Sequence, residues 1–219
     1  MTVQPTDEFP HGDATVDEWV FAAWAPDGSA GVISGHRLTG RTAWYWAAFV
    51  QRGQPLLHIT EWEVKVRADP FVVKAEQLWA EHTCDAPLEQ WSIGNEAYAA
   101  SLDDPQEALG RGFGVPTPTG FDLEWYATSQ PLEIEAGFEQ QGVVHGEIAL
   151  IGRAAYSLSE APAHRWRRWR IGAEPLPPLP LPDAVAHSGL RAPFGFPDGT
   201  VGDYVLLPTG WCRRAIARL

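Results

Sequence analysis

The chain has 219 residues, 45 % apolar and 20 % charged, with a formal net charge of −12. That balance excludes a disordered chain, a collagen or coiled-coil fibre and a nucleic-acid-binding surface, because phosphate recognition needs clustered Lys and Arg. No apolar run reaches the roughly 18 residues of a membrane helix, and MTVQPTDEFPHGD at the start lacks a leader pattern, so a cytoplasmic protein without a membrane span is expected.

Period-two alternation predicts strands over 17–25, 30–38 and 41–50, punctuated by Asp27–Gly28 and Gly40. Segments 55–66, 71–84, 87–100, 119–128 and 138–151 continue the series. A helix of one or two turns is predicted over Asp104–Leu109, capped by Asp103 or Asp104. The expected fold class is therefore all-β and antiparallel. Eleven Trp favour a closed barrel over an open sheet. Side chains two apart share a face, which groups Trp19 with Phe21, Trp44 with Trp46, and Trp125 with Phe121 and Leu123. A barrel of about eight strands is either filled by side chains or holds one small ligand. Trp44, Trp46, Trp91, Trp125 and Trp166 are the candidates to line such an apolar cavity.

After residue 171 the pattern changes. AEPLPPLPLPD, residues 173–183, holds five Pro and predicts an extended strap that pairs poorly with a sheet. One strand, Tyr204–Leu207, and a short basic end follow. The expected organisation is a barrel over 1–171, with 172–219 packing on it or completing it. Residues 1–150 carry 7 basic and 23 acidic side chains, whereas 151–219 carry 9 and 5. The basic third is expected to dock on the acidic body; meeting a second copy, as a homodimer, is the alternative.

Motifs for nucleotide, zinc or calcium binding are lacking, and GRGFG, residues 110–114, reads as a loop. No metal or cofactor is implied. Cys84 and Cys212 read as buried thiols. RWRRWR, residues 165–170, places Arg165, Arg167 and Trp169 on one strand face and Trp166, Arg168 and Arg170 on the other. In 138–150 one face carries Glu139, Gln141, His145 and Glu147, and the other Gln140, Val144 and Ile148; which face looks inward is open. An inward His145–Glu147 pair would suit acid–base work. Glu96, Glu124, His145 and His164 are the candidate catalytic groups of a cofactor-free hydratase, isomerase or cyclase, with indoles steadying a carbocation.

The run from Gly137 to Trp169 resembles the end of the first barrel in lipocalin-like (calycin) proteins related to carotenoid 1,2-hydratase, or hydroxyneurosporene synthase. That group includes AttH-like proteins and double-barrel pericyclases. TAWYWAAFV, LWAEHTCDAPLEQWSIGNEAYAASLDDPQEALG, GFDLEWYAT and EQQGVVHGEI are similar to blocks of actinobacterial relatives, and the likeness covers most of 17–170. The family signature reads Asp-His-x-Trp-Gly; here Ala163 and Arg167 replace its Asp and Gly around His164 and Trp166. The missing Asp removes a carboxylate that would orient His164. The resemblance implies a cavity for an apolar small molecule (isoprenoid, polyene, polyketide or lipid-like), sometimes used for hydration or cyclisation without a metal or redox cofactor. Binding of such a ligand is the expected function, and cofactor-independent catalysis is the alternative.

Overall fold

Alternating Val, Trp, Phe and Ala build a continuous wall. The computed structural model describes residues 2–110, 113–152, 154–184 and 189–214. Strands β1 (Val16–Trp24), β2 (Ala30–Thr39), β3 (Thr42–Gln51) and β4 (Leu56–Lys65) form an antiparallel meander. A hairpin follows, β5 (Val72–Ala75) and β6 (Leu78–Ala86), where the sequence predicted one strand; the turn lies at Glu76 and Gln77. Then come β7 (Gln90–Leu102), β8 (Val115–Ala127), the short β9 (Leu132–Ile134), β10 (Gly137–Leu150) and β11 (Tyr156–Arg170). β11 returns to β1, with Val16 opposite Arg170 and Ala23 opposite Ala163. β4 meets β7 over Leu56–His58 and Ala100–Leu102. These pairings close a ring of eight strands. The segment predicted as a helix is a 3-10 turn, Pro105–Leu109, capped by Asp104.

Inside the ring the side chains fill the lumen. Trp19, Trp91 and Trp125 are 0 % exposed, and small residues such as Ala47 and Ala99 close the space between larger ones. A second 3-10 turn, Pro5–Glu8, plugs one end. Trp19 Nε1 donates to the Glu8 carbonyl at 2.8 Å, and Arg165 grips both Glu8 carboxylate oxygens at 2.6 and 2.8 Å. Beside it Arg167 stacks on Trp19, 4.1 Å from the ring centre, and pairs with Asp17. The basic run pairs with the acidic body, Arg165 on Glu8, Arg167 on Asp17, Arg168 on Glu18 and Arg170 on Glu135, and Arg170 also meets Glu174 of the strap.

The chain end forms its own sheet, β12 (Leu190–Gly195), β13 (Val201–Leu207) and β14 (Gly210–Arg213), where one strand was expected. It covers the outer face of β1–β3. Trp44, Trp46, Ile33 and Val20 pack there against Phe194, Phe196, Tyr204 and Trp211. The molecule therefore has two apolar layers, one within the ring and one between ring and second sheet. The strap crosses this second layer. Leu179 is buried, Arg168 donates to the Pro177 carbonyl, and Arg213 N donates to the Pro182 carbonyl at 2.8 Å. Proline supplies no N–H, so the strap is held mainly by its carbonyls and leucines. Cys84 and Cys212 are both free thiols; burial pushes Cys84 up to about 12. The loop read at 110–114 includes residues 111 and 112, and the basic end passes 214; these parts lie outside the described residues.

Candidate functional site

The predicted site residues divide among four places. Trp91 and Trp125 face the lumen, where they are fully packed. Trp44 and Trp46 do not line the lumen with them, which corrects the expectation of one indole-lined cavity. They alternate with inward Ala43, Tyr45 and Ala47 and face outward, beneath the second sheet. Trp166 is likewise on the outer layer. Glu96 and Glu124 are exposed on the outer face, and His145 shares that side, its ring 5.9 Å from Tyr126. Val144 and Ile148 are the inward residues of that strand, so no His145–Glu147 pair enters the lumen. His164 sits half-buried in an outer cleft.

The lumen has a polar knot that the sequence reading missed. Asn95 Nδ2 donates to the Tyr45 hydroxyl at 2.9 Å, and Ser34 Oγ lies 3.2 Å from that hydroxyl and 3.3 Å from His82 Nε2. The rings of His36 and His82 are 5.8 Å apart. Both nitrogens of His36, His82 Nδ1, Asn95 Oδ1 and the indole nitrogens of Trp91 and Trp125 find no hydrogen-bond partner among the described residues. Burial lowers His36 to about 3 and His82 well below its ordinary value, and it raises Tyr45. These groups are neutral at pH 7. Single polar letters in apolar strands, SGHRL and SIGNEA, were the signal for the knot.

Two clefts lie outside the ring on the two sides of the strap, and a third, of about 610 Å³, lies away from it against β5–β8 and includes Glu96. One cleft of about 720 Å³ has an apolar side, formed by Val20, Trp46, Leu179, Phe196, Tyr204 and the strap prolines, and a charged side that includes Glu18, Arg37 and Arg168. Drug-sized ligands occupy pockets of this order, roughly 300–1,000 Å³. Trp46 lies flat on β2 because Gly35 is beneath it: a Cβ there would stand 2.1 Å from the ring. The charges beside the wall are paired. Glu18 is gripped by Arg37 at 2.7 Å and by Arg168. Burial opposes its ionisation, yet the two guanidiniums prevail and hold its carboxyl below the usual range. Arg37 also stacks 5.0 Å from the rings of Trp44 and Phe196. The hydroxyl of Tyr204, a residue that lines this cleft, feels the charges of Arg168, Glu18 and Arg37. Burial raises it to about 12, so it stays protonated and able to donate.

The second cleft, about 670 Å³, contains Trp24, Trp166, Trp211, His164 and Glu139. His164 Nε2 is 3.3 Å from Glu139 Oε2, which also accepts from Trp166 Nε1 at 3.1 Å. A carboxylate thus reaches His164 from β10. The register that sets Glu139 opposite Trp166 and Gln141 opposite His164 brings it there. No helix of the described residues is long and apolar enough to cross a membrane. No protein-family model, curated protein or solved structure matches the chain.

Proposed function

We propose that the protein binds an apolar small molecule carrying one hydrogen-bonding group, of isoprenoid, polyene or lipid-like chemistry, in the cleft walled by Trp46, Phe196, Tyr204 and the strap. The observation that carries this reading is a cleft of about 720 Å³ in which Val20, Trp46, Leu179, Phe196 and the strap prolines form an apolar wall beside the protonated Tyr204 hydroxyl and the paired charges of Glu18, Arg37 and Arg168. Apolar area removed from water supplies roughly 25 cal/mol per Å², and one buried hydroxyl orients the guest. The strap prolines form a wall whose shape is preset, so little chain entropy is lost when the site fills. The catalytic alternative has less support. Glu96, Glu124 and His145 lie on the outer strand faces and share no cleft with His164. The likeness to lipocalin-like proteins belongs to the same proposal, with the ring of eight strands and its plugged end supporting it.

The test is titration with retinol, a polyene with one hydroxyl, followed by energy transfer from Trp. Saturable binding is expected, and Tyr204→Phe should weaken it about tenfold, the worth of one hydrogen bond. Val201→Trp, at the half-open edge of the cleft, should block it. Binding that neither substitution alters would refute the site. No saturable response to retinol, a sterol or a fatty alcohol would refute the function.

A further inference from the structure

The cleft on the other side of the strap has a different chemistry. Its indoles come from three strands: Trp24 from β1, Trp166 from β11 and Trp211 from β14. Each is fixed by its surroundings. Trp211 Nε1 donates to the Ala23 carbonyl at 3.2 Å. Trp24 lies against Gly210, whose φ of +116° and missing Cβ let the ring within 2.9 Å of where that atom would stand. Trp166 donates to Glu139, and its ring centre lies 4.4 Å from that of His164, the planes tilted by 31°.

Two carboxylates line this space, Glu139 and Glu160, and the described lining residues include no Lys or Arg. Glu139 differs from the other half-buried or buried acids of the outer layer. Glu18 and Asp203 each face an arginine. The donors on Glu139 are an indole and an imidazole, both on Oε2, which leaves Oε1 without a hydrogen bond among the described residues. Burial holds His164 below its ordinary value even though Glu139 pulls the other way, so the imidazole is neutral at pH 7. The carboxylate therefore faces the cleft with no formal countercharge. Aromatic faces attract cations through their quadrupole, most strongly for Trp, and quaternary ammonium ions suit them because they are weakly hydrated.

We infer that this cleft is a second binding site, one that takes an organic cation, a quaternary or alkylated ammonium group, between its indoles and Glu139. The site is separate from the polyene cleft: the two share none of their lining residues.

The experiment uses the full chain and two probes of one shape, choline and its uncharged isostere 3,3-dimethylbutan-1-ol. Calorimetry and the indole N–H resonances of Trp24 and Trp211 read the binding. Choline should bind saturably, shift those two resonances, and outbind the isostere by about tenfold or more. Glu139→Gln should reduce choline affinity about tenfold and leave the isostere unchanged. Should that variant fold poorly, Glu160→Gln, at an exposed position, should weaken choline by a smaller factor and choline binding should fall as salt is raised. Equal binding of the two probes overturns the inference. So does choline binding unchanged by both substitutions, or the lack of any saturable choline binding. Retinol binding is measured on the same variants: if it persists in Glu139→Gln, a failure here leaves the first cleft standing.

Discussion

Buried histidines make this protein sensitive to acid in a way that follows residue by residue. His36, His58 and His82 are neutral in the fold, with burial the first cause in each case, and His36 and His58 protonate only near about 3 and about 4. In the unfolded chain all three titrate near the ordinary value of 6.5. Between these limits the unfolded state binds more protons. Stability is therefore full above pH 6.5 and falls as pH drops toward the folded values, by about 1.4 kcal/mol per pH unit for each histidine. Urea denaturation at pH 7, 6 and 5 should show this decline. His36→Leu should flatten it by one proton, with no loss at pH 7, because both His36 nitrogens lack partners. A stability independent of pH over this range would contradict the neutral, packed knot. The plug makes a second residue-scale prediction. Glu8→Gln leaves Arg165 buried beside Trp125, 4.7 Å from its ring centre, without its counter-ion. Removing one partner of a buried pair costs about 3–5 kcal/mol, which calorimetric unfolding would register as a large fall in Tm; a shift of a degree or two would show that the plug carries little.

Strand positions were legible in the sequence, and strand faces only in part. β7 and β8 set inward Trp91, Ile93, Phe121 and Leu123 against exposed Glu96, Asp122 and Glu124, so polarity marks the outside. β1 and β3 carry no such mark. In TAWYWAAFV both faces are apolar, because one fills the ring and the other lies under β12–β14. Bulk misleads there: Trp44 and Trp46 belong to the outer layer, while the smaller Ala43 and Ala47 point inward with Tyr45. Likewise no sequence spacing joins Glu139 to His164; the register of β10 on β11 does. The strand-scale consequence is that Gly35→Ala should act on the outer layer. Its Cβ would meet Trp46 at 2.1 Å, and such overpacking costs about 1–3 kcal/mol. Chemical denaturation should report that loss, and an unchanged midpoint would mean that Trp46 is free to move.

At the scale of the molecule, the ring and the second sheet depend on each other through the layer they share. Ending the chain at Ile171 strips the cover from Trp44, Trp46, Val20 and Trp166. A contiguous apolar patch of that kind drives association, so light scattering should find the shortened chain aggregated where the full chain is not; equal mass and solubility would show that the outer layer holds little energy. The layer also explains where ligands belong. A ring packed with three fully buried indoles leaves its interior to side chains, and two clefts open where the Pro-rich strap cannot fill the seam. The most direct test is a titration of 15N-Trp-labelled full-length protein with retinol, its eleven indole N–H signals assigned by Trp→Phe substitution. The resonance of Trp46 should move saturably while those of Trp91 and Trp125 stay in place. Shifts at Trp91 and Trp125 with Trp46 unmoved would put the ligand inside the ring and contradict the account.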